Sequence, residues 1–350
     1  MVTIKDIAKK LQIDHSTVGY ALSGKGTIKE DTRKLVIDTA REMGYVPNVN
    51  AQRIRNHKTR SIGVVFPQIV MGYNEIIQHM FALAAEKNYD LVIDITEFNT
   101  ERENRGIRSM LEARVDGIII RPCFPDLNNL PDDHSLKYAL RQKLPVVSYN
   151  AAPKQSGFSK VTVPLSKTAK LATGHLLEKG HRRLALLSPV SNTDERMIKA
   201  CRNNLGESGG DLKVISFSDS GAYHKNTEYH QHIMDLMSDK SIEVGKALFR
   251  QAVSMEPRPT ALIFVTESTA IGGIIEAAAM GLKIPDDIAV LCLNRSLVTP
   301  MSPVPMTTVC ASNEVVGRRM LNFMIDHIEG RVNTGSSLTI NPVLIQGKST

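Results

Sequence analysis

The sequence predicts a small all-α head followed by an α/β body of two doubly wound lobes. Three observations carry this prediction. The first sixty residues hold three helical patterns and 12 lysines and arginines against 6 acids. From Ser61 onward, short apolar or β-branched runs alternate with helical patterns, as in parallel sheets covered on both faces. The length, 350 residues, exceeds one ordinary core and points to two or three units, and a hydrophobic content of 42% is that of a globular chain.

In the head, "TIKDIAKKL" opens on Thr3 with Asp6 three residues later, a near capping box, and sets Ile7, Ala8 and Leu11 on one face. After the short link Gln12-Ile13, "DHSTVGYAL" places Asp14 at an N-cap. Val18, Ala21 and Leu22 then form an apolar side, and His15, Ser16, Gly19 and Tyr20 lie opposite. The loop "SGKGTIKE" follows with Gly24 and Gly26. "DTRKLVIDTAREMGY" predicts a third helix with Leu35, Val36, Ala40 and Met43 inward and Gly44 as its stop. Two short helices joined by a tight turn and braced by a third make a helix-turn-helix unit. The apolar side of the second helix is its core contact, so its polar side must point outward, into a major groove. The alternative for His15, Ser16 and Tyr20 is an ordinary solvated helix face.

Charge favours the first reading. Beyond residue 60 the chain nearly balances, with 31 basic against 30 acidic residues, so almost all of the net +7 sits on the head. A basic head on a neutral body is the footprint of a phosphate-backbone binder. In "VPNVNAQRIRNHKTR", Pro47 breaks the chain, Asn48 can cap a short helix, and Arg53, Arg55, Lys58 and Arg60 make the segment basic. A hinge helix and linker over residues 48–60 is expected, after a head over 1–47.

The body runs from 61 to 350. Its nine runs are "IGVVF" at 62–66, "LVIDI" at 91–95, "GIIIR" at 117–121, "VVSYN" at 146–150, "VTV" at 161–163, "LALLS" at 184–188, "KVISF" at 213–217, "ALIFV" at 261–265 and "AVLCL" at 289–293. Nine strands are too many for one comfortable sheet, hence two lobes. Ligands of such folds sit at the carboxyl ends of strands, here in the cleft between lobes.

Other classes find little support. No window approaches the ~18 apolar residues of a membrane span. The opening "MVTIKDIAKK" lacks a secretory layout, so the cytoplasm is the expected compartment. Cys123, Cys201, Cys292 and Cys310 form no CxxC, which indicates neither a zinc site nor a disulfide framework. "YHKNTEYHQH" offers His224, Glu228, His230 and His232, whose spacing suits an exposed helix at least as well as a metal. Gly272 and Gly273 lack phosphate-loop spacing and read as helix-packing residues. No Ser/His/Asp or Cys/His grouping stands at interpretable spacing, so an enzyme is not expected, nor a cofactor or metal. The chain closes on "LIQGKST" without apolar heptads, which predicts a dimer rather than a tetramer.

Five stretches in this order resemble the lac repressor / galactose repressor family of bacterial transcription regulators. They are "TIKDIAKKLQIDHSTVGYAL", "TRKLVIDTAREMGYVPNVNAQ", "HLLEKGHRRLALLSP", "PTALIFVTESTAIGGIIEAAAMGLKIPDDIAVL" and "TTVCASNEVVGRRML". The resemblance implies periplasmic-binding-protein-like lobes, the N-lobe at about 61–160 and 294–323 and the C-lobe at about 161–293 and 324–350. It also implies a homodimer on a near-palindromic operator, switched by a small molecule, often a sugar, between the lobes. The residues it assigns to DNA are Thr3, His15, Ser16, Thr17, Gly19, Tyr20, Arg33, Asn48, Ala51 and Ile54; to the effector, Tyr73, Asn74, Asn150, Arg196, Glu267 and Asn294. A dimer of the same fold whose body has lost effector response is the rival reading. A sugar-binding protein without regulatory role is a third.

The departures are informative. Where the family's recognition helix usually reads Thr-Val-Ser-Arg, this chain has Thr17-Val18-Gly19-Tyr20, and a phenol cannot grip guanine bidentately as a guanidinium can. Gly19 within the helix costs about 1 kcal/mol relative to alanine, consistent with close approach to DNA. Gln12 stands in the turn where glycine is common, and Ile54 where a leucine wedge enters the minor groove. In the body Pro164, Thr266-Glu267 and Asn294 replace acidic or amide residues of the usual pocket. The loss of negative acceptors favours a more anionic ligand near Arg196.

Overall fold

The computed structural model describes residues 2–24, 27–45, 59–68, 72–123, 130–150, 158–189, 195–216 and 240–350. The chain forms two compact units, Met1–Thr59 and Arg60–Thr350.

The head contains α1 (Ile4–Leu11), α2 (His15–Ser23) and α3 (Glu30–Glu42). Thr3 and Asp6 close a full capping box: the Asp6 carboxylate accepts from the Thr3 backbone N–H at 2.8 Å, and Asp6 N–H donates to the Thr3 hydroxyl at 3.3 Å. Asp14 caps α2 by accepting from Ser16 N–H at 2.7 Å. Both caps hold their carboxyls below the usual range, because hydrogen bonds to Thr3 and to Ser16 favour the charged form. Ile7, Ala8, Val18, Ala21, Val36 and Ala40 make the core. Leu35, expected inward, is 55% exposed: the buried stripe of α3 runs through Val36, Thr39 and Ala40, which leaves Leu35 on the solvent flank. Gly44, at φ +67°, ends the helix as expected.

Gln12 occupies the turn in the left-handed region, at φ 54° and ψ 39°. A side chain there costs roughly 1–2 kcal/mol, while glycine gives back about 0.5–1 in unfolded-chain entropy. Gln12→Gly is therefore expected to stabilise the head by up to about 1 kcal/mol, read as a later unfolding transition in urea. A lower midpoint would show that the Gln12 side chain contributes contacts of its own.

The body has two six-stranded sheets. The first contains β1 (Ser61–Phe66), β2 (Asp90–Ile95), β3 (Gly117–Ile120), β4 (Val146–Tyr149), β5 (Ser159–Thr162) and β11 (Ser337–Thr339), in the order β11-β5-β4-β3-β1-β2. The second contains β6 (Arg183–Ser188), β7 (Asp211–Ser216), β8 (Ala261–Phe264), β9 (Ala289–Cys292), β10 (Thr307–Cys310) and β12 (Val343–Ile345), in the order β12-β10-β9-β8-β6-β7. All pairs are parallel except β10 with β12. Helices α4 (Tyr73–Glu86), α5 (Thr100–Glu112), α6 (Ser135–Arg141) and α11 (Asn313–Ile328) cover the first sheet. Helices α7 (Leu165–Glu178), α8 (Glu195–Gly206), α9 (Lys240–Val253) and α10 (Glu267–Ala279) cover the second. The nine expected strands are all present. β10, β11 and β12 are additional: each is defined by the strand it pairs with rather than by a pattern of its own.

The strand pairings correct the lobe boundaries. β5 pairs with β4 in the first sheet, so the division does not fall at 160. β10 pairs with β9, which keeps the chain in the C-lobe up to residue 310 rather than releasing it at 294. α11 and β11 return it to the N-lobe through about 340, because Val316, Met320, Leu321 and Met324 pack into the first core. The final segment then rejoins the C-lobe through β12. The lobes are thus linked by three chain crossings, near 163, 311 and 341.

Gly272 and Gly273 pack helices as expected. A Cβ on Gly272 would lie 2.2 Å from the Ile242 carbonyl oxygen, and one on Gly273 would lie 2.5 Å from the Phe264 ring. Among the described residues no helix is long and apolar enough to cross a membrane. All four cysteines are free, and burial pushes the Cys201 thiol up to about 12 and that of Cys310 to about 11. No described cluster of His, Cys, Asp and Glu could hold a metal; His224, Glu228, His230 and His232 lie outside the described residues.

Candidate nucleic-acid interface and ligand cleft

The two caps and the apolar side of α2 fix which surface the head presents. With Val18 and Ala21 buried, His15, Ser16 and Tyr20 are exposed, while Thr17 and Gly19 are half-buried. His15 stands 3.7 Å from the Asp14 carboxylate. Thr3 and Ser16 keep exposed hydroxyls that donate to their cap carboxylates, at 2.7 and 2.5 Å. Arg33, on α3, is half-buried and its Nε has no hydrogen-bond partner. Asn48, Ala51 and Ile54 lie outside the described residues.

The second surface is a cavity of about 260 Å³ between the lobes. From the N-lobe it is lined by Gln68, Tyr73, Tyr149 and Asn150, from the C-lobe by Thr266 and Asn294, and at the crossing by Asn313. These residues follow the carboxyl ends of β1, β4, β8 and β9, where a parallel α/β sheet places its ligands. Phe66 supports the aromatic side: Tyr73 meets it edge-on at 5.4 Å, and Tyr149 stacks on it at 6.3 Å. Asn150, at φ 52°, accepts from Val163 N–H at 2.9 Å through its side-chain oxygen, which pins β4 to β5 beside the cavity. Burial pushes the Tyr149 hydroxyl upward, so it is a neutral donor and acceptor at physiological pH.

The expected effector residues therefore divide. Tyr73, Asn150 and Asn294 come together at the cavity. Asn74 is exposed on α4 and is not part of the lining. Arg196, exposed in the first turn of α8, is not part of it either. Glu267 is buried and faces elsewhere. Its carboxylate accepts from Ser296 Oγ at 2.5 Å, from Ser296 N–H at 3.3 Å and from the Thr299 hydroxyl. That set engages both oxygens in holding the loop after β9, away from the cavity lining.

A second buried carboxylate ties the same loop to the opposite lobe. Glu75, on α4, accepts from Leu297 N–H at 2.8 Å and from Asn313 Nδ2 at 3.1 Å. Asn313 Nδ2 also reaches the Arg295 carbonyl at 3.0 Å. Tyr149, Gln68 and Asn313 are cavity residues that the sequence did not single out, and Thr266, noted as a pocket position, lines the cavity in place of Glu267. Thr266 and Tyr149 each adjoin a residue that was singled out, and the signal was the strand end itself.

Residues 3–48 match the model of the bacterial regulatory proteins of the lacI family, and residues 173–350 match a periplasmic binding protein-like domain. The chain is 26% identical over 314 residues to catabolite control protein A of Priestia megaterium, covering 88% of this chain and 87% of that one. It is 24% identical over 349 residues to the transcriptional repressor CytR of Escherichia coli, covering 99% and 96%. Among solved structures, the lac repressor dimer bound to operator and the anti-inducer ONPF superposes with a TM-score of 0.80 at 18% identity, over 100% of this chain and 99% of that one. The regulator CelR in complex with cellobiose gives 0.65 at 20% identity, with both chains fully covered. A capped helix-turn-helix head, a two-lobed body and these matches together place the chain in the lacI family of DNA-binding transcriptional regulators.

Proposed function

We propose that the chain is a homodimeric repressor that acts in the cytoplasm, without a catalytic step, on a near-palindromic operator. A small polar molecule in the inter-lobe cleft is its switch. The observation that carries this reading is the cavity lined from both lobes by amides, hydroxyls and a tyrosine pair. A ligand bridging such a lining favours the closed body and shifts the equilibrium by its differential affinity. In the head, His15, Ser16, Thr17, Gly19 and Tyr20 read bases, while Thr3 and Arg33 hold the phosphate backbone. The segment with Asn48, Ala51 and Ile54 contacts the minor groove.

Dimerisation has a surface of suitable character. Leu297, Val298 and Met301 are 68%, 49% and 80% exposed on the loop after β9, and Phe81 and Val92 are exposed on α4 and the edge strand β2. Apolar side chains in such positions are costly in water and suit a second copy of the chain. The same loop leaves the cavity at Asn294 and is held by Glu75 and Glu267, which gives a ligand a short mechanical route to the dimer surface.

Gel-shift titration of the chain on DNA upstream of its own gene, with neutral, acidic and phosphorylated sugars and nucleosides, tests this reading. Binding to the native site but not to a scrambled one is expected, with at least one compound changing the affinity tenfold or more. Specific DNA binding that no compound alters would leave the effector-blind dimer standing instead.

A further inference from the structure

We infer that Arg121 is the anion-recognising residue of the cleft, so that the ligand carries a carboxylate or phosphate beside its hydroxyls. The inference rests on the cleft being a ligand site. β3 ends at Ile120, and Arg121 N–H continues the ladder by donating to the Val65 carbonyl at 2.9 Å. Side chains alternate along a strand, and Ile119 packs on the face that also carries Phe66 and Tyr149. Arg121 therefore leaves the sheet on that same face, in register with Phe66 of β1 and Tyr149 of β4. This is the point where the strand order reverses between β1 and β3, the usual binding crevice of a doubly wound sheet. Arg121 is thus the strand neighbour of the cavity-lining Tyr149, although its side chain is not itself part of the lining.

The charge balance there is incomplete. Arg121 is half-buried, and among the described residues it forms no ion pair; its one hydrogen bond runs from Nη1 to the Pro122 carbonyl at 3.2 Å. The nearby acid, Glu103, is fully buried and accepts from Cys123 N–H at 2.6 Å, while its other oxygen has no partner. Burial raises the pKa of Glu103 and so weakens it as a counter-charge. Among the described residues no carboxylate lines the cavity, and Glu75 and Glu267 bond the loop after β9. A partly desolvated guanidinium with free donors favours a planar oxyanion, which it holds bidentately. Arg196, the cation that the sequence offers for this role, is exposed in the first turn of α8, whereas Arg121 is half-buried in register with the cavity-lining Tyr149.

The test is the melting temperature of the full chain with glucose, glucuronate, glucose 6-phosphate and inorganic phosphate at matched ionic strength. Wild type, Arg121→Gln and Arg121→Lys are compared. A rise of about 5 °C with glucuronate or glucose 6-phosphate is expected at saturation, absent in Arg121→Gln and partly kept in Arg121→Lys. The two acids separate a carboxylate ligand from a phosphate ligand. A rise that survives in Arg121→Gln overturns the assignment. A rise with glucose alone overturns the anionic class but leaves the cleft as a ligand site, whereas no rise with any probe counts against both. Should Arg121→Gln fold poorly, Arg121→Lys alone decides: it keeps the charge but not the fork, and an unchanged acid response would contradict bidentate capture.

Discussion

Glu267→Ala is expected to lower the stability of the body by about 2–4 kcal/mol, measured by urea unfolding. The substitution leaves the hydroxyls of Ser296 and Thr299 without their carboxylate acceptor, in a site that is 5% exposed at Glu267, while Ser296 N–H keeps the Thr299 hydroxyl oxygen at 2.9 Å. Buried donors left unmet cost about 1–3 kcal/mol each before the loop relaxes. Glu267→Gln retains one acceptor oxygen and is expected to lose about half as much. The pair distinguishes two roles for this carboxylate. A ligand contact would leave stability unchanged and weaken ligand response; the observed bonding predicts the reverse.

Leu297→Asp combined with Met301→Asp is expected to convert the dimer to monomers and to weaken operator binding by roughly 10²–10⁴-fold. Both residues are already exposed, so the substitutions remove no core contact and the folded monomer is retained. A charge placed in an apolar interface loses the burial of both side chains and adds desolvation. Losing the second head removes the effective-concentration advantage of paired half-sites. Sedimentation velocity gives the oligomeric state and anisotropy the affinity. A double variant that sediments as a dimer would place the interface elsewhere.

The fold was largely legible because its elements announce themselves through burial. A run such as "GIIIR" or "ALIFV" is apolar on both faces only if helices cover both, and the Thr3 and Asp14 caps follow from side-chain chemistry within three residues. What escaped depends on partners remote in sequence. β10, β11 and β12 are defined by the strands they join, and the segment "TTVC" carries no period of its own. Leu35 misled because an apolar residue next to Val36 fits a helical stripe until packing chooses the flank. In the cleft, strand ends were the right guide, yet a one-residue step separates Thr266, which lines the cavity, from Glu267, which turns away. Arg121 closes a quoted strand, and only the register against β1 and β4 shows which face it leaves from.

The central claim, that the exposed side of α2 reads DNA sequence, is tested most directly by fluorescence anisotropy on two duplexes. These are the native upstream site and a scrambled site of equal composition, titrated with wild type and Tyr20→Ala at stepped salt. The account predicts that Tyr20→Ala loses about 1–3 kcal/mol on the native site and little on the scrambled one. The salt slope should stay near 0.9 per neutralised phosphate for both proteins, because the phosphate contacts are assigned to other residues of the head. An equal loss on both duplexes, or none on either, would contradict it.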